Sequence, residues 1–516
     1  MRWLPGIYRS LILQLAVYQV VQCLSSTTAS KGSSKRVEKV AIVGAGIAGL
    51  SLAHALRTSD QDVQISIFDS RESLDFTAGS GVQLNGGLST LARIDPKLHE
   101  AVLNAGVQIA NLRGKNKSWG QQSPTDSLWN YSIEKLIRDK GGDVEDQLIL
   151  NNQVQWFAIM RGALQQVLAD ALPSDEKIKI EFDKTLVGIN SDGKGGGCCE
   201  FDDGTIDSDF DLIVGCDGVK SAVKEYIEKG KISADASKRS GSAAAIYSGI
   251  RIAYAVKDAS ASEERKTSYD IQQTFADGSY IFSGSFGNGP KIAPCDCVFV
   301  ISLDDRYNGP FGKRKGVTTS EEATAENADW TQDEKKTEDI SKAQMLTQLE
   351  KANFRDETIA RTISDASRFF NLGVYFHNPF TLSGWTKQVP ASTGALAVLC
   401  GDSAHAMPPF LGQGANQAIQ DAYCLAEKVR SYNAQIDSGE KDSDEMEQDL
   451  KSMLKDYEKA RWSVTTSITA KAAILGYLET GGRDGFYAKF RDVFFKTLVL
   501  LGVPVKVLLD AATPRF

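Results

Sequence analysis

The hexapeptide Gly44-Ala45-Gly46-Ile47-Ala48-Gly49 limits more than any other feature what this chain can fold into. It stands between a strand pattern at 37–43 and a segment at 47–57 whose apolar residues recur at helical spacing, and 63–68 then reads as a second strand. Alone, a glycine pattern of this kind says little; with strand, helix and second strand in register it marks a βαβ unit that binds a dinucleotide. Gly44 permits the tight turn, Gly46 lets backbone approach a pyrophosphate, and Gly49 lets the helix pack on the strand. Ala45 and Ala48 belong to the same contact loop. The helix start offers the phosphates free N–H groups and a positive partial charge. Asp69 lies at the end of the second strand, where a carboxylate can accept hydrogen bonds from a ribose diol.

Composition narrows the rest. A length of 516 residues allows two to four domains at roughly 100 to 200 residues each. With 42 % hydrophobic residues, and 58 Lys+Arg against 66 Asp+Glu for a net charge of −8, global disorder is excluded and nothing along the whole chain attracts phosphate backbones. No nucleic-acid partner is expected. Eight cysteines without a C-x-x-C pair, beside only four histidines, give no zinc spacing and no disulfide scaffold, so no metal is expected.

Residues 1–35 read as a leader outside the fold. Two arginines precede a mostly apolar stretch at 11–21, which is too short for the roughly 20 residues that a bilayer requires, and small residues follow at Cys23-Leu24-Ser25. A Ser/Thr-rich stretch without acids continues to Arg36. The leader points to the secretory pathway or a plastid, and away from the cytoplasm if it is genuine. The polar stretches 317–340 and 437–449 read as solvated insertions.

Two further glycine-bearing motifs follow in order. Asp211 to Ser221 is a buried strand running into the Asp217-Gly218 turn; Cys400 to Asp421 is a strand, a loop containing Pro408, Pro409, Gly412 and Gly414, and then a helix. With these three motifs the chain resembles the class A FAD-dependent monooxygenases, the family of p-hydroxybenzoate hydroxylase, salicylate hydroxylase and zeaxanthin epoxidase. The resemblance runs from Val37 to about Arg461.

The resemblance implies an α/β fold: a Rossmann-like FAD-binding domain of the glutathione-reductase type, an inserted mixed β-sheet substrate domain, and C-terminal helices. The expected division is a leader at 1–35, a discontinuous FAD-binding domain at 36–235 and 395–465, a substrate sheet at 236–394 with a polar insertion at 312–340, and a helical segment at 466–516. By the same resemblance Gly44, Gly46 and Gly49 hold the FAD pyrophosphate, Asp69 the adenosine ribose, and Asp402 the flavin's sugar-alcohol chain. Arg161, in Met160-Arg161-Gly162, approaches the cofactor; Gln83, within 79–84, lines the flavin; Asp217 and Gly218 serve both FAD and NAD(P)H. Pro409 stiffens the flavin loop. A physical argument stands beside these assignments: a reduced flavin is negative at its pyrimidine end, and a helix starting near Gly414 aims the N–H groups of Gly414, Ala415 and Asn416 at that charge.

The implied chemistry has NADH or NADPH reduce FAD, O2 add at the flavin C4a, and the hydroperoxide pass one oxygen atom to a small aromatic substrate. No catalytic side chain is named. His405 is the candidate, with a structural hydrogen bond beside the flavin as the weightier alternative. Tyr247, Tyr280, Phe282, Phe286, Phe369, Phe370 and Tyr375 are candidates for lining a substrate pocket, and core packing is the competing reading for each. The apolar run 494–509, interrupted by Gly502 and Pro504, reads first as a helical cap and alternatively as a peripheral membrane contact that would suit epoxidation of a lipophilic polyene. A flavin-dependent halogenase is disfavoured because no W-x-W-x-I-P segment is present, and a redox-dead scaffold because 412–416 is intact.

Overall fold

The computed structural model describes residues 35–516 apart from 77–78, 117–126, 234–244, 260–265, 267, 277, 305–337, 355, 381–382, 439–448 and 481–484. The leader up to residue 34 and most of the insertion at 312–340 lie outside the described residues.

The glycine hexapeptide folds as its spacing requires. Strand Lys39–Val43 leads through the loop into helix Ile47–Ser59, and Gln64–Phe68 returns parallel to the first strand, Val43 opposite Phe68. Leu212–Gly215 and Leu396–Leu399 extend the sheet on one side and Ile178–Glu181 on the other, all parallel. Thr386–Gln388 closes one edge antiparallel. These central strands are apolar on both faces because helices cover both, the habit of parallel sheets. Their carboxyl ends place the loops after Val43, Gly215 and Leu399 side by side, where open α/β sheets bind ligands. Cys216 N donates to Val43 O at 2.8 Å and Cys400 N to Gly215 O at 2.9 Å, which ties the three loops edge to edge.

A second, nine-stranded sheet stands against the first. The expected domain division needs correction here. Strands Gly81–Leu84, Val107–Asn116, Ser127–Ser132 and Phe157–Met160, assigned to the FAD domain, pair into this sheet, and Val107–Asn116 runs parallel to Tyr269–Ala276. Conversely, Thr386–Gln388, assigned to the substrate sheet, belongs to the parallel one. The physical reason is that a buried strand edge must satisfy its N–H and C=O groups with whichever strand lies beside it, whatever the distance in sequence. The boundary at 465/466 also disappears, since Leu450–Thr480 is one continuous helix.

Strand alternation divides the second sheet into two faces. Ala255, Ile281, Val298 and Val300 pack outward with Met345, Leu349, Ile359 and Ile363 of helices Glu338–Lys351 and Glu357–Ser364. Their neighbours Tyr254, Phe282 and Phe299 point the other way, into a cavity. The carboxyl-terminal helices Leu450–Thr480, Gly485–Leu500 and Val503–Ala512 supply further walls of that cavity. Gly502, at φ +66°, and Pro504 in the first turn of the last helix break the apolar run into two short helices. Among the described residues no helix is long and apolar enough to cross a membrane.

Candidate cofactor and substrate site

The three glycines of the first loop have different surroundings. A Cβ on Gly44 would stand 2.5 Å from the Cys216 carbonyl oxygen, and one on Gly49 would stand 2.0 Å from the Gly44 carbonyl oxygen. Both glycines are steric requirements of the loop. Gly46 has an ordinary φ of −81°, and a Cβ there would meet nothing within 4 Å. Its backbone borders open space at a helix start, the arrangement an anion needs. Ala48 touches the third loop, because its Cβ would lie 2.9 Å from a Cβ built on Gly401.

Asp69 sits at its expected place but is already engaged. Ala45 N donates to Oδ2 at 2.8 Å, Arg71 Nε to Oδ1 at 2.7 Å and Arg71 Nη2 to Oδ2 at 2.8 Å. Burial would raise the Asp69 carboxyl, but these donors outweigh it and hold it below the ordinary value. A ribose at Asp69 would share the carboxylate with Arg71, a residue that sequence reasoning did not single out. Asp217 likewise turns one oxygen inward: Oδ2 accepts from Ala222 N at 2.6 Å and Val223 N at 3.2 Å, at the start of helix Ala222–Lys229. Its Oδ1 is buried without a partner, and burial pushes its pKa up. Gly218 beside it, at φ +76°, faces open space.

Asp402 opens the short helix Asp402–His405 and lines the cavity. It lies deep in the protein, yet its side chain is open to the cavity, and it accepts no hydrogen bond among the described residues. Burial raises its pKa, against the opposing charges of His405 and Arg161. Arg161 begins helix Arg161–Asp170, its N–H donates to Ser80 O at 2.9 Å, and its side chain passes over Gly79. That guanidinium is exposed and has no hydrogen-bond or ion-pair partner among the described residues.

Gln83, Asp402, Pro409, Gly412, Gly414 and Ala415 line one part of a cavity of about 680 Å³. Gln83 is oriented by Trp156, whose Nε1 donates to Oε1 at 3.1 Å. Gly412 turns at φ +62°, and Gly414 starts helix Gly414–Ser438. Asn416 lies behind this surface. Its Nδ2 donates to Gln83 O at 2.8 Å and its Oδ1 accepts from Asn85 N at 2.8 Å and Gly87 N at 2.9 Å. Its side chain is therefore a clamp between two loops, which leaves only its backbone N–H for the anion role expected of it.

His405 does not line the cavity. Its Nε2 bonds Asp421 Oδ2 at 2.5 Å, and Asp421 is held in turn by Arg461 Nε at 2.7 Å. The acid–base candidacy is corrected on this point: the imidazole is bound inside the protein, behind the cavity wall. Of the candidate pocket aromatics, Tyr280, Phe282, Phe286 and Tyr375 reach the cavity. Tyr247 instead donates to Asp304 Oδ2 at 2.8 Å, Phe369 packs on the outer face, and Phe370 stacks behind Tyr254 with ring centres 4.5 Å apart. Sequence reasoning missed Tyr254, Trp129, Trp156 and Phe299, as well as Leu475, Leu478 and Glu479 on the carboxyl-terminal helix. Strand alternation carried a signal for Tyr254 and Phe299. The helix residues had none, since their inward face exists only once the helix docks.

The residues present fit FAD. Open backbone at Gly46 and Gly218, an uncommitted Arg161 and the unsatisfied Asp402 carboxylate lie along the junction of the three loops, where a pyrophosphate and a polyol would each find a complement.

Comparison with known proteins agrees. The family described as NAD(P)-binding Rossmann-like domain matches residues 42–104, and the FAD binding domain family matches 392–442. Streptomyces cremeus 3-amino-4-hydroxybenzoate 2-monooxygenase is 24 % identical over 75 % of this chain and 77 % of its own length. Anopheles gambiae kynurenine 3-monooxygenase is 23 % identical over 88 % of this chain and 76 % of its own. The crystal structure of Klebsiella pneumoniae HpxO complexed with FAD and uric acid shares the fold at a TM-score of 0.63 and 16 % identity, covering 92 % of this chain and 97 % of that one. Both family matches fall on glycine loops that the fold brings together; the chain is similar to the class A FAD-dependent monooxygenases, and it is an oxidoreductase that uses FAD with a nicotinamide nucleotide as reductant.

Proposed function

We propose that this protein uses NAD(P)H and O2 to hydroxylate a small aromatic substrate. The observation that carries this reading is the continuity of one cavity from the glycine loop at Gly412–Gly414 to the inward rings of Tyr254, Phe282 and Phe299. A planar apolar substrate in that cavity would lie against the cofactor loop. Two of the relatives, a 3-amino-4-hydroxybenzoate 2-monooxygenase and a kynurenine 3-monooxygenase, support a ring substrate.

Bound FAD would supply the acceptance of reducing equivalents and the transfer of oxygen. The protein's part is binding, charge and exclusion of water. Arg161 and the N–H groups around Gly46 would neutralise the pyrophosphate. The start of helix Gly414–Ser438 would oppose negative charge on the reduced ring through its N–H groups. The carboxyl-terminal helices close the cavity with Leu475, Leu478 and Leu508, which keeps water from the reacting centre.

The test is reconstitution with FAD followed by NADH and NADPH oxidation in the presence of 3-amino-4-hydroxybenzoate, kynurenine and salicylate. At least one ring substrate should accelerate oxidation and yield a product heavier by one oxygen atom. A protein that acquires no flavin absorbance, or whose oxidation no ring compound stimulates, contradicts the proposal. Asp402→Ala should weaken FAD retention by about tenfold or more, the loss of a hydrogen bond to a charged group, and unchanged flavin content would remove the role given to Asp402.

A second reading, epoxidation of a lipophilic polyene at a membrane surface, is favoured by one observation. Leu500 and Leu501 are 87 % and 70 % exposed, at the turn between two helices that line the cavity. Delivery to a membrane through the leader at 1–35 belongs to the same reading. On it, the protein sediments with phosphatidylcholine vesicles, and Leu500→Glu with Leu501→Glu reduces the bound fraction about tenfold or more, given the roughly 1.5–3 kcal/mol gained on burying each leucine. Equal sedimentation of both proteins would leave the aromatic reading alone.

A further inference from the structure

Glu479 is 6 % exposed, lines the cavity, and its Oε2 has no hydrogen-bond partner. A buried carboxyl without a partner is costly, and a fold keeps one where something else will complete it. The cation whose charge opposes it, Arg491, has other partners: its Nη1 donates to Ala276 O at 3.2 Å and its guanidinium lies 5.4 Å from the centre of the Phe275 ring. Burial pushes the Glu479 carboxyl well above its ordinary pKa, against the opposing charge of Arg491, which favours the neutral form, able to donate as well as accept. Tyr280 and Gln273 stand nearby on the cavity wall, the Gln273 side chain meeting the Tyr280 hydroxyl.

The position of this group along the cavity follows from the strand that carries Tyr280. In Ser279–Phe286 the far residue, Phe286, abuts the 79–84 segment so closely that a Cβ on Gly81 would stand 2.2 Å from its ring. Tyr280 is six residues back, about 20 Å along an extended strand. Glu479, whose charge bears on the Tyr280 hydroxyl, therefore lies away from the 79–84 segment, one helical turn past Gly476, where an added Cβ would meet the Phe410 ring of the 408–414 loop.

We infer that Glu479 is a substrate-specificity residue that reads a hydroxyl or amide group on the far end of an extended aromatic substrate. This rests on the monooxygenase reading and deepens it: a ligand that reaches from the 79–84 segment to Glu479 needs two or three rings. Tyr254, whose hydroxyl is also buried without a partner, offers a second contact part-way along.

The test uses the full-length FAD-loaded protein and a matched pair of probes, 4-hydroxybiphenyl and biphenyl. Binding is read by quenching of tryptophan fluorescence, since Trp129 and Trp156 line the cavity. The wild-type protein should bind the hydroxylated probe at least about tenfold more tightly. Glu479→Leu should reduce that preference to less than about twofold while affinity for biphenyl is kept or improved, and Glu479→Gln, which still donates and accepts, should retain the preference. An unaltered preference in Glu479→Leu, or none in the wild-type protein, overturns the assignment; the wild-type comparison decides even where the leucine variant does not fold. Flavin absorbance and NAD(P)H oxidation of the same samples separate the two readings: an absent preference in active flavoprotein removes the role of Glu479 alone, and failure to take up FAD removes the monooxygenase reading.

Discussion

Gly46→Ala should leave the protein's stability intact and weaken FAD binding, whereas Gly49→Ala, three residues away, should destabilise the fold. The two substitutions add the same methyl group to one loop, so their difference isolates what each glycine is for. At Gly49 the new Cβ would lie 2.0 Å from the Gly44 carbonyl oxygen. That oxygen cannot retreat, because Gly44 N is bonded to Phe68 O at 2.7 Å and Gly44 itself presses on the Cys216 carbonyl. The helix must separate from the strand, at a cost in the overpacking range of about 1–3 kcal/mol or more, which urea denaturation without FAD will show as a lower midpoint. At Gly46 nothing lies within 4 Å of the added carbon, and φ −81° suits alanine. Stability should hold or rise by about 0.4–1 kcal/mol through a less flexible unfolded chain. The open space is the proposed seat of the pyrophosphate, so the methyl group should raise the FAD dissociation constant by about a hundredfold, or roughly 2.7 kcal/mol. Equal FAD retention in Gly46→Ala and wild type would mean that the phosphates lie elsewhere.

This contrast also shows how far the sequence could be read. The positions of Gly44, Gly46 and Gly49 were legible because local backbone geometry sets them, and local geometry is written in local sequence. Asp217 and Asp402 were legible because each follows a buried strand, and parallel strands bring their carboxyl ends to one edge. Pairing between distant segments was not legible. Nothing in Val107–Asn116 says that it will run beside Tyr269–Ala276, since register depends on which apolar faces meet. The same limit explains Asn416: a backbone donor by motif, it becomes a clamp through its side chain only because residues 83–87 fold against it. Arg71 was missed for a different reason. A surface arginine two residues after an acid is unremarkable until the turn folds it back onto that acid.

Arg461→Met should be the most destabilising single change outside the glycine loop, and its effect should depend on pH in a direction that packing alone cannot produce. Asp421 is completely buried and accepts from Gly401 N at 2.9 Å, His405 Nε2 at 2.5 Å and Arg461 Nε at 2.7 Å. Arg461 also reaches Gln417 Oε1 at 2.6 Å and the carbonyl of Arg515, so one guanidinium joins the helix after the flavin loop to the chain terminus. Burial would raise the Asp421 carboxyl, but the charges and hydrogen bonds of His405 and Arg461 hold it below its ordinary value. A carboxylate depressed in this way stabilises the fold above its unfolded pKa of about 3.9 and loses that contribution as pH falls through the lower folded value. In Arg461→Met one of the two depressing groups is gone, leaving a buried charge with only His405 and the Gly401 N–H beside it, at a cost of about 3–5 kcal/mol near neutrality. Acid should then protonate Asp421 in the variant and relieve the penalty at a pH above that at which the wild type begins to lose its contribution. The stability gap between the two proteins, measured by urea denaturation from pH 7 to pH 4, should therefore narrow as pH falls. A gap constant across that range would assign the loss to the arginine's hydrocarbon stem rather than to its charge. Because Asp421 also holds the N–H of Gly401, next to Asp402, the variant's flavin content should fall together with its stability.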